Sequence, residues 1–183
     1  MRPILWVLLL CLTACATADV ADSDALDKRA AYVSVVPTAS VGQLDMDRID
    51  LTLCCTDLGG THYEPYLPKL ATRRATIVKV RPGTCYVAQV RGLLSTQGRL
   101  DPKETLFATK PDQLNFPGVW AFRFRLTHGL SVATPSQMST TLDFALSVTE
   151  HNVDVARGII SRQFPSITQR LPLEYTRVVE SPK

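Results

Sequence analysis

The residues able to do chemistry are few and scattered. The three histidines, His62, His128 and His151, lie far apart in a chain of 183 residues, each in loop-like sequence. No serine stands in a Gly-x-Ser-x-Gly elbow, the strained turn that would offer a nucleophile to a histidine base. His62-Tyr63-Glu64 places two polar groups on one side of an extended segment, as a pair of metal ligands would lie. With no third ligand in view, a solvated loop is the better reading. Glu64, Asp101, Glu104 and Asp143 carry no local mark of a paired acid and base, whose separation is a property of the fold. The adjacent Cys54 and Cys55 lack the C-x-x-C spacing that lets two sulfurs reach one zinc. These residues predict no catalytic site, no metal site and no cofactor.

Two surfaces could make contacts instead. In the long stretch 56–74, Tyr63, Tyr66, Arg73 and Arg74 combine the residue types that dominate binding hot spots, with Pro65 and Pro68 to stiffen the segment. The alternative is a loop that packs over one end of the domain. Separately, Lys79, Arg81, Arg91, Arg123 and Arg125 fall on the outward sides of predicted strands. If those strands adjoin, they form a positive ladder; if they do not, the charges serve solubility and protect edges. The formal net charge is +3, and it falls to +2 without Arg2. That is too small for the basic footprint of a nucleic-acid binder, so no nucleic acid is expected as a partner.

The elements that must position these groups are mostly strands. Arg48 to Cys55 alternates, with Ile49, Leu51, Leu53 and Cys55 on one face, and Val119 to Leu126 does the same through Trp120, Phe122 and Phe124. Thr141 to Val148 repeats the pattern, and a weaker strand is expected at Thr105 to Ala108. Tyr32 to Val36 reads as a strand stopped by Pro37. Thr76–Val80 and Thr84–Val90 read as a hairpin across Arg81-Pro82-Gly83, because proline presets one turn dihedral and glycine tolerates positive φ. Near 152–164, Val153, Ala156, Ile160 and Phe164 recur at helical spacing, with Asn152 as cap and Pro165 as stop. Beyond Pro172 a strand or extended tail is expected. Half-buried strands need a second sheet to cover them, so the fold class is mainly β: an antiparallel β-sandwich with one C-terminal helix. Two long connections, 56–74 and 93–115, are functional, mobile or contain further elements.

The first residues have another character. Arg2 precedes an apolar run from Ile4 to Leu12, followed by small residues and then by Asp19, Asp22, Asp24 and Asp27, the layout of a secretory signal. The run is shorter than the roughly 20 apolar residues that a spanning helix requires. Leu12-Thr13-Ala14-Cys15 resembles the bacterial lipobox. The resemblance implies that residues 1–14 are removed, that Cys15 carries acyl chains such as palmitate, and that Ala16 directs the product to the outer membrane of a Gram-negative cell. Cleavage near Ala18 as an ordinary secreted protein is the competing reading. On this reading residues 15–29 comprise the lipidated cysteine and an acidic tether, and 30–183 form the single domain.

The run Val78-Lys79-Val80-Arg81-Pro82-Gly83-Thr84-Cys85-Tyr86, followed by Phe-rich alternation and a helix ending at Phe164-Pro165, is similar to uncharacterised proteobacterial envelope lipoproteins. The likeness implies an immunoglobulin-like or prealbumin-like β-sandwich, with Cys85 as a departure. It implies no activity. In an oxidising compartment disulfides persist. If Tyr86, Ala88 and Val90 point inward, Cys85 lies on the outward side with Cys54, so Cys54–Cys85 is the preferred pair and three separate thiols the alternative. The function expected is that of a membrane-anchored, non-enzymatic interaction or structural component of the envelope, with another envelope protein as partner. The alternative is a glycan- or lipid-binding module built from 56–74 and 93–115, with a concave pocket lined by Tyr63, Tyr66 or Phe107.

Overall fold

A computed structural model describes residues 19–41, 43–92, 97–129, 137–147 and 150–176. The stretch 1–14, expected to be a signal, and Cys15 lie outside the described residues. In chain order the elements are β1 (Ala31–Val41), β2 (Leu44–Asp45), β3 (Arg48–Asp57), β4 (His62–Tyr63), β5 (Leu70–Ala71), β6 (Thr76–Val80) and β7 (Gly83–Arg91). They continue with β8 (Gln97–Arg99), α1 (Pro102–Thr105), β9 (Phe107–Thr109), β10 (Leu114–Phe116), β11 (Val119–Gly129), β12 (Gln137–Ser147), α2 (Glu150–Gln163), α3 (Pro165–Arg170) and β13 (Leu173–Tyr175). The protein is mainly β, with two antiparallel-rich sheets that pack face to face and do not close into a barrel. One sheet runs β12-β11-β1-β10-β13, with β2 and β6 also paired to β1. The other runs β4-β3-β7-β8, with β5 on β3 and β9 on β7.

β1 organises both layers. Its Ala31, Val33 and Val35 point at the second sheet and share a core with Leu53, Val87 and Phe107. Its Tyr32 and Val36 point the other way, into a second core with Ile77, Ile160 and Ile167. A strand covered on both faces needs a continuous apolar run, not an alternating one, and Ala30 to Val36 supplies it except at Ser34. Pro37 does not stop the strand. Its ladder neighbour β6 ends opposite Val35 and β2 begins opposite Ser40, so residues 36–39 face neither. The Pro37 carbonyl accepts the Arg73 N–H at 2.8 Å on that side. Because N–H and C=O of one strand residue point to the same edge, the N–H that proline lacks belongs to the gap between β6 and β2.

β3 and β11 behave as their alternation predicts: Ile49, Leu51, Leu53 and Cys55 are buried, as are Trp120, Phe122 and Phe124, while Arg123 and Arg125 are exposed. The Arg81-Pro82-Gly83 turn corrects an expectation. It joins no hairpin, because β6 pairs with β1 and β7 with β3; the turn carries the chain from one sheet to the other. Gly83 is pressed onto β3 there, and a Cβ on it would sit 2.1 Å from the Thr56 carbonyl oxygen. No other residue fits without moving a backbone. The two long connections also contain elements: β4 and β5 in the first, and β8, α1, β9 and part of β10 in the second. Phe107 is fully buried against Trp120, with ring centres 5.9 Å apart, and so presents no ring surface to a ligand.

The helix expected near 152–164 begins at Glu150, which places Asn152 inside it and not at its cap. Pro165 ends α2 but also opens α3, where a missing N–H is no loss, so the C-terminal helix is two helices. Both cover the outer face of β1, burying Ala156, Ile160 and Ile167.

The acidic segment 19–29 is not a free tether. It straps across this second core. Asp19 bridges to Val78, the Val20 N–H donates to the Ile77 carbonyl at 2.9 Å, and Val20 and Ala30 are buried. The Asp22 carboxylate accepts the N–H groups of Ser166 and Ile167 at 3.2 and 3.0 Å, and Arg170 donates to the carbonyls of Asp22 and Asp24. Asp27 pairs with Lys79 at 3.1 Å, and its N–H donates to the Tyr32 hydroxyl at 2.7 Å. Residues 19–29 therefore pack as part of the folded domain, which was expected to begin only at Ala30. Partial desolvation opposes ionisation of Asp22, but hydrogen bonds from Ile167 and Ser166 and the Arg170 charge outweigh it and hold the carboxyl below its ordinary value. With the folded value depressed, its contribution is present above the unfolded value of about 3.9 and lost as pH falls through the folded one. Amide exchange at Val20 is expected to stay slow through mildly acidic pH, and Asp22→Ala is expected to remove the protection at neutral pH. Unchanged exchange in that variant would show that the strap is held without Asp22.

Candidate functional site

The site grows from the end of the sandwich marked by Pro82. β3 leaves the sheet at Asp57, whose carboxylate accepts the N–H groups of Gly59 at 3.0 Å and Thr61 at 2.9 Å, while Gly60 takes φ +83. This local ring of hydrogen bonds turns the chain back into β4, pairing Tyr63 with Cys55 and His62 with Thr56. The same carboxylate meets the Arg81 guanidinium at 3.1 Å. The Thr61 N–H and Arg81 lead the interactions that hold Asp57 below the ordinary carboxylate range. Arg81 in turn fixes Tyr63. Its N–H donates to the Tyr63 hydroxyl at 2.7 Å, that hydroxyl donates to the Arg81 carbonyl at 3.3 Å, and its guanidinium lies 5.1 Å from the ring centre. Burial pushes the Tyr63 phenol above its ordinary range, so it stays a neutral donor.

Tyr63 forms one wall of an open cleft of about 410 Å³. Pro65, Tyr66, Asp27, Arg29, Lys79 and Arg81 also line it. Tyr66 is 65% exposed, so its ring is available to a ligand. Lys79 and Arg81 form ion pairs with Asp27 and Asp57, whereas Arg29 is exposed and its charge acts on Asp27 without a close ion pair among the described residues. The cleft thus offers an aromatic face, an exposed cation and, in Glu64, a carboxylate with no cationic partner among the described residues. Such a set grips a ring or an apolar stem by stacking and a charged substituent by ion pairing.

The four residues expected to share one contact surface are split. Tyr63 and Tyr66 meet at the cleft, but Arg73 lies beyond the opposite end of β6, ion-paired to Asp45 in a left-handed turn conformation, with the exposed Arg74 beside it. The positive ladder is split too. Lys79 and Arg91 stand on strands of different sheets, and Arg123 and Arg125 lie on β11, which joins the other half of β1. Residue type was enough to single out the tyrosines. Arg29 and Asp27 carried no signal, because only the strap brings them to the cleft.

The cysteine pairing also changes. Cys55, not Cys54, is bonded to Cys85, directly opposite it in the β3–β7 ladder. Between Thr52–Gln89 and Leu53–Val87 the register slips, leaving Ala88 as the extra residue of a bulge. The bulge reverses the parity of β7. Val90 is buried on one side of it, and on the other Cys85 and Val87 are buried instead of Tyr86 and Ala88. Cys54 is a free thiol on the outer face, with its sulfur 3.7 Å from Glu64. Burial, followed by the Glu64 charge, pushes it above the ordinary thiol range against a hydrogen bond with Tyr86, so it is a poor nucleophile at neutral pH. His62 shares a hydrogen bond of 2.8 Å with the Thr56 hydroxyl, its cross-strand neighbour. The side chains of His128 and His151 lie outside the described residues. Among the described residues, no group of three or more His, Cys, Asp or Glu gathers to hold a metal.

No family model matches the sequence, and no curated protein matches it.

The disulfide closes a loop of 30 residues, which in the chain-entropy picture stabilises the fold by about 3 to 4 kcal/mol. Cys55→Ser is expected to lower unfolding free energy in urea by about that amount, and Cys54→Ser by less than about 1 kcal/mol. Equal losses from the two variants would contradict the assignment.

Proposed function

We propose that this chain is a lipoprotein of the bacterial envelope, cut before Cys15 and held by acyl chains on the periplasmic side of the outer membrane. Its domain is a non-enzymatic module that binds an envelope component in the Tyr63–Tyr66 cleft. The anchor rests on the apolar run Ile4–Leu12 and on Leu12-Thr13-Ala14-Cys15. Each buried methylene contributes about 0.8 kcal/mol, and two or three acyl chains hold a protein where one does not. No helix among the described residues is long and apolar enough to cross a membrane.

The binding role rests on one observation above the others: an open cleft that pairs an exposed aromatic ring, Tyr66, with an exposed cation, Arg29. A module that holds a ring or headgroup needs such a cleft, and a purely structural spacer does not. The chemistry around it favours binding over turnover. The nearby histidine is occupied by a threonine hydroxyl at the surface, and the nearby thiol is disfavoured as thiolate. Of the two engagements expected from the sequence, the cleft favours a glycan or lipid over a flat protein contact, and it uses the 56–74 segment with the strap in place of 93–115.

Two measurements test this. Cys15→Ser is expected to abolish fatty-acid labelling and move the protein out of the membrane fraction; retention of both would sink the anchor. A photo-crosslinking phenylalanine analogue at Tyr66 is expected to capture a glycan or lipid in intact envelopes, and the same analogue at Leu44 to capture none. An empty Tyr66 position in anchored protein would remove the cleft from the account.

A further inference from the structure

The strap decides how far the domain can stand from its anchor. With residues 19–29 docked, only Ala16, Thr17 and Ala18 separate Cys15 from the folded domain. Four residue steps span at most about 14 Å when fully extended, whereas a free tether to Ala30 would reach about 50 Å. The direction of the strap is also fixed. Val20 bonds to Ile77 and Asp19 lies opposite Val78 in an antiparallel bridge, so Asp19, the strap residue nearest Cys15 in sequence, lies closer than Val20 to the Lys79–Arg81 end of β6. That is the Pro82 pole, where the cleft opens.

This pole has the surface that an interfacial site needs. Leu58 stands at the tip of the β3–β4 turn, 84% exposed, with its N–H bonded to the Pro82 carbonyl at 3.1 Å. Tyr66 is exposed beside the same Arg81. Arg29 and Lys110 are exposed cations here, since Ala31 pairs with both Val80 and Pro111. Asp27 and Asp57 neutralise Lys79 and Arg81, and Glu64 and Asp112 add negative charge, so the pole is mixed in sign. An apolar tip, an amphipathic ring and long cations around them suit the boundary between acyl chains and zwitterionic or anionic headgroups.

We infer that the Pro82 pole rests on the bilayer that holds the Cys15 chains, with Leu58 and Tyr66 entering the headgroup layer and Arg29 and Lys110 meeting lipid phosphates. This inference rests on the anchor proposed above and names the cleft's occupant as the phospholipid surface itself. The far pole, marked by Leu44 at the other end of β1, then stands about 33 Å away and faces the periplasm.

The test places a tryptophan at each pole of the full, acylated protein in vesicles of phosphatidylethanolamine and phosphatidylglycerol. The Leu58→Trp variant is expected to lose emission when the phospholipids are replaced by brominated ones, and the Leu44→Trp variant to keep it. Trp120 is buried and adds the same background to both. Vesicle-bound protein whose Leu58→Trp variant is not quenched overturns this inference alone. Acylation-dependent binding is checked first by sedimentation; protein that stays in the supernatant overturns the anchor and this inference together. Quenching of the Leu44→Trp variant in place of the other would reverse the orientation.

Discussion

A strand buried on both faces is the constraint from which the rest of this fold follows. β1 carries Val33 and Val35 into the space between the sheets and Tyr32 and Val36 into the opposite space. One covering sheet therefore cannot complete the domain. Leaving Tyr32, Val36, Ile77, Leu114 and Phe116 in water would forfeit roughly 1.5 to 3 kcal/mol for each large side chain. α2 and α3 cover most of that face, and the strap completes it with Val20 and Leu26. The N-terminal segment is drawn into the core for this reason, and the short reach left between the domain and the proposed anchor at Cys15 is a consequence of packing.

The second sheet is held by a different device. Its β3–β7 pair is closed by Cys55–Cys85, and the chain enters β7 from the first sheet through Arg81-Pro82-Gly83, one of several crossings between the layers. At that passage the side chains that build the cleft are tied together, since Arg81 reaches both Asp57 and Tyr63. The cleft sits where the chain changes sheets, and its walls come from the two layers and the strap. A ligand there would touch all three.

Much of the fold was legible because single-faced strands announce themselves. Ile49-Leu51-Leu53-Cys55 and Trp120-Phe122-Phe124 alternate since each covers one core and leaves water on the other side. The failures have local causes. A Pro-Gly turn has the same chemistry whether it closes a hairpin or crosses between sheets, so β6 and β7 were joined wrongly. Parity counted back from Val90 could not cross an unseen bulge at Ala88, which exchanged Cys54 for Cys55 in the disulfide. Pro37 stopped a strand on paper because nothing in the sequence says which edge its missing N–H faces. The strap looked like a tether because its aspartates, which in the fold accept hydrogen bonds from α3 and an ion pair from Lys79, have the composition of a solvated linker. At the site, Tyr63 and Tyr66 stood out by type, while Arg29, brought there by the strap, did not.

The docked strap sets the thickness of water beneath a domain anchored at Cys15. Neutron reflectometry of the protein held on a supported bilayer by the acyl chains proposed at Cys15 measures that layer directly. If the strap is part of the fold, the protein density begins within about 14 Å of the headgroups, the reach of four extended residue steps. A hydrated gap wider than that, as a free chain from Cys15 to Arg29 would allow, would contradict it.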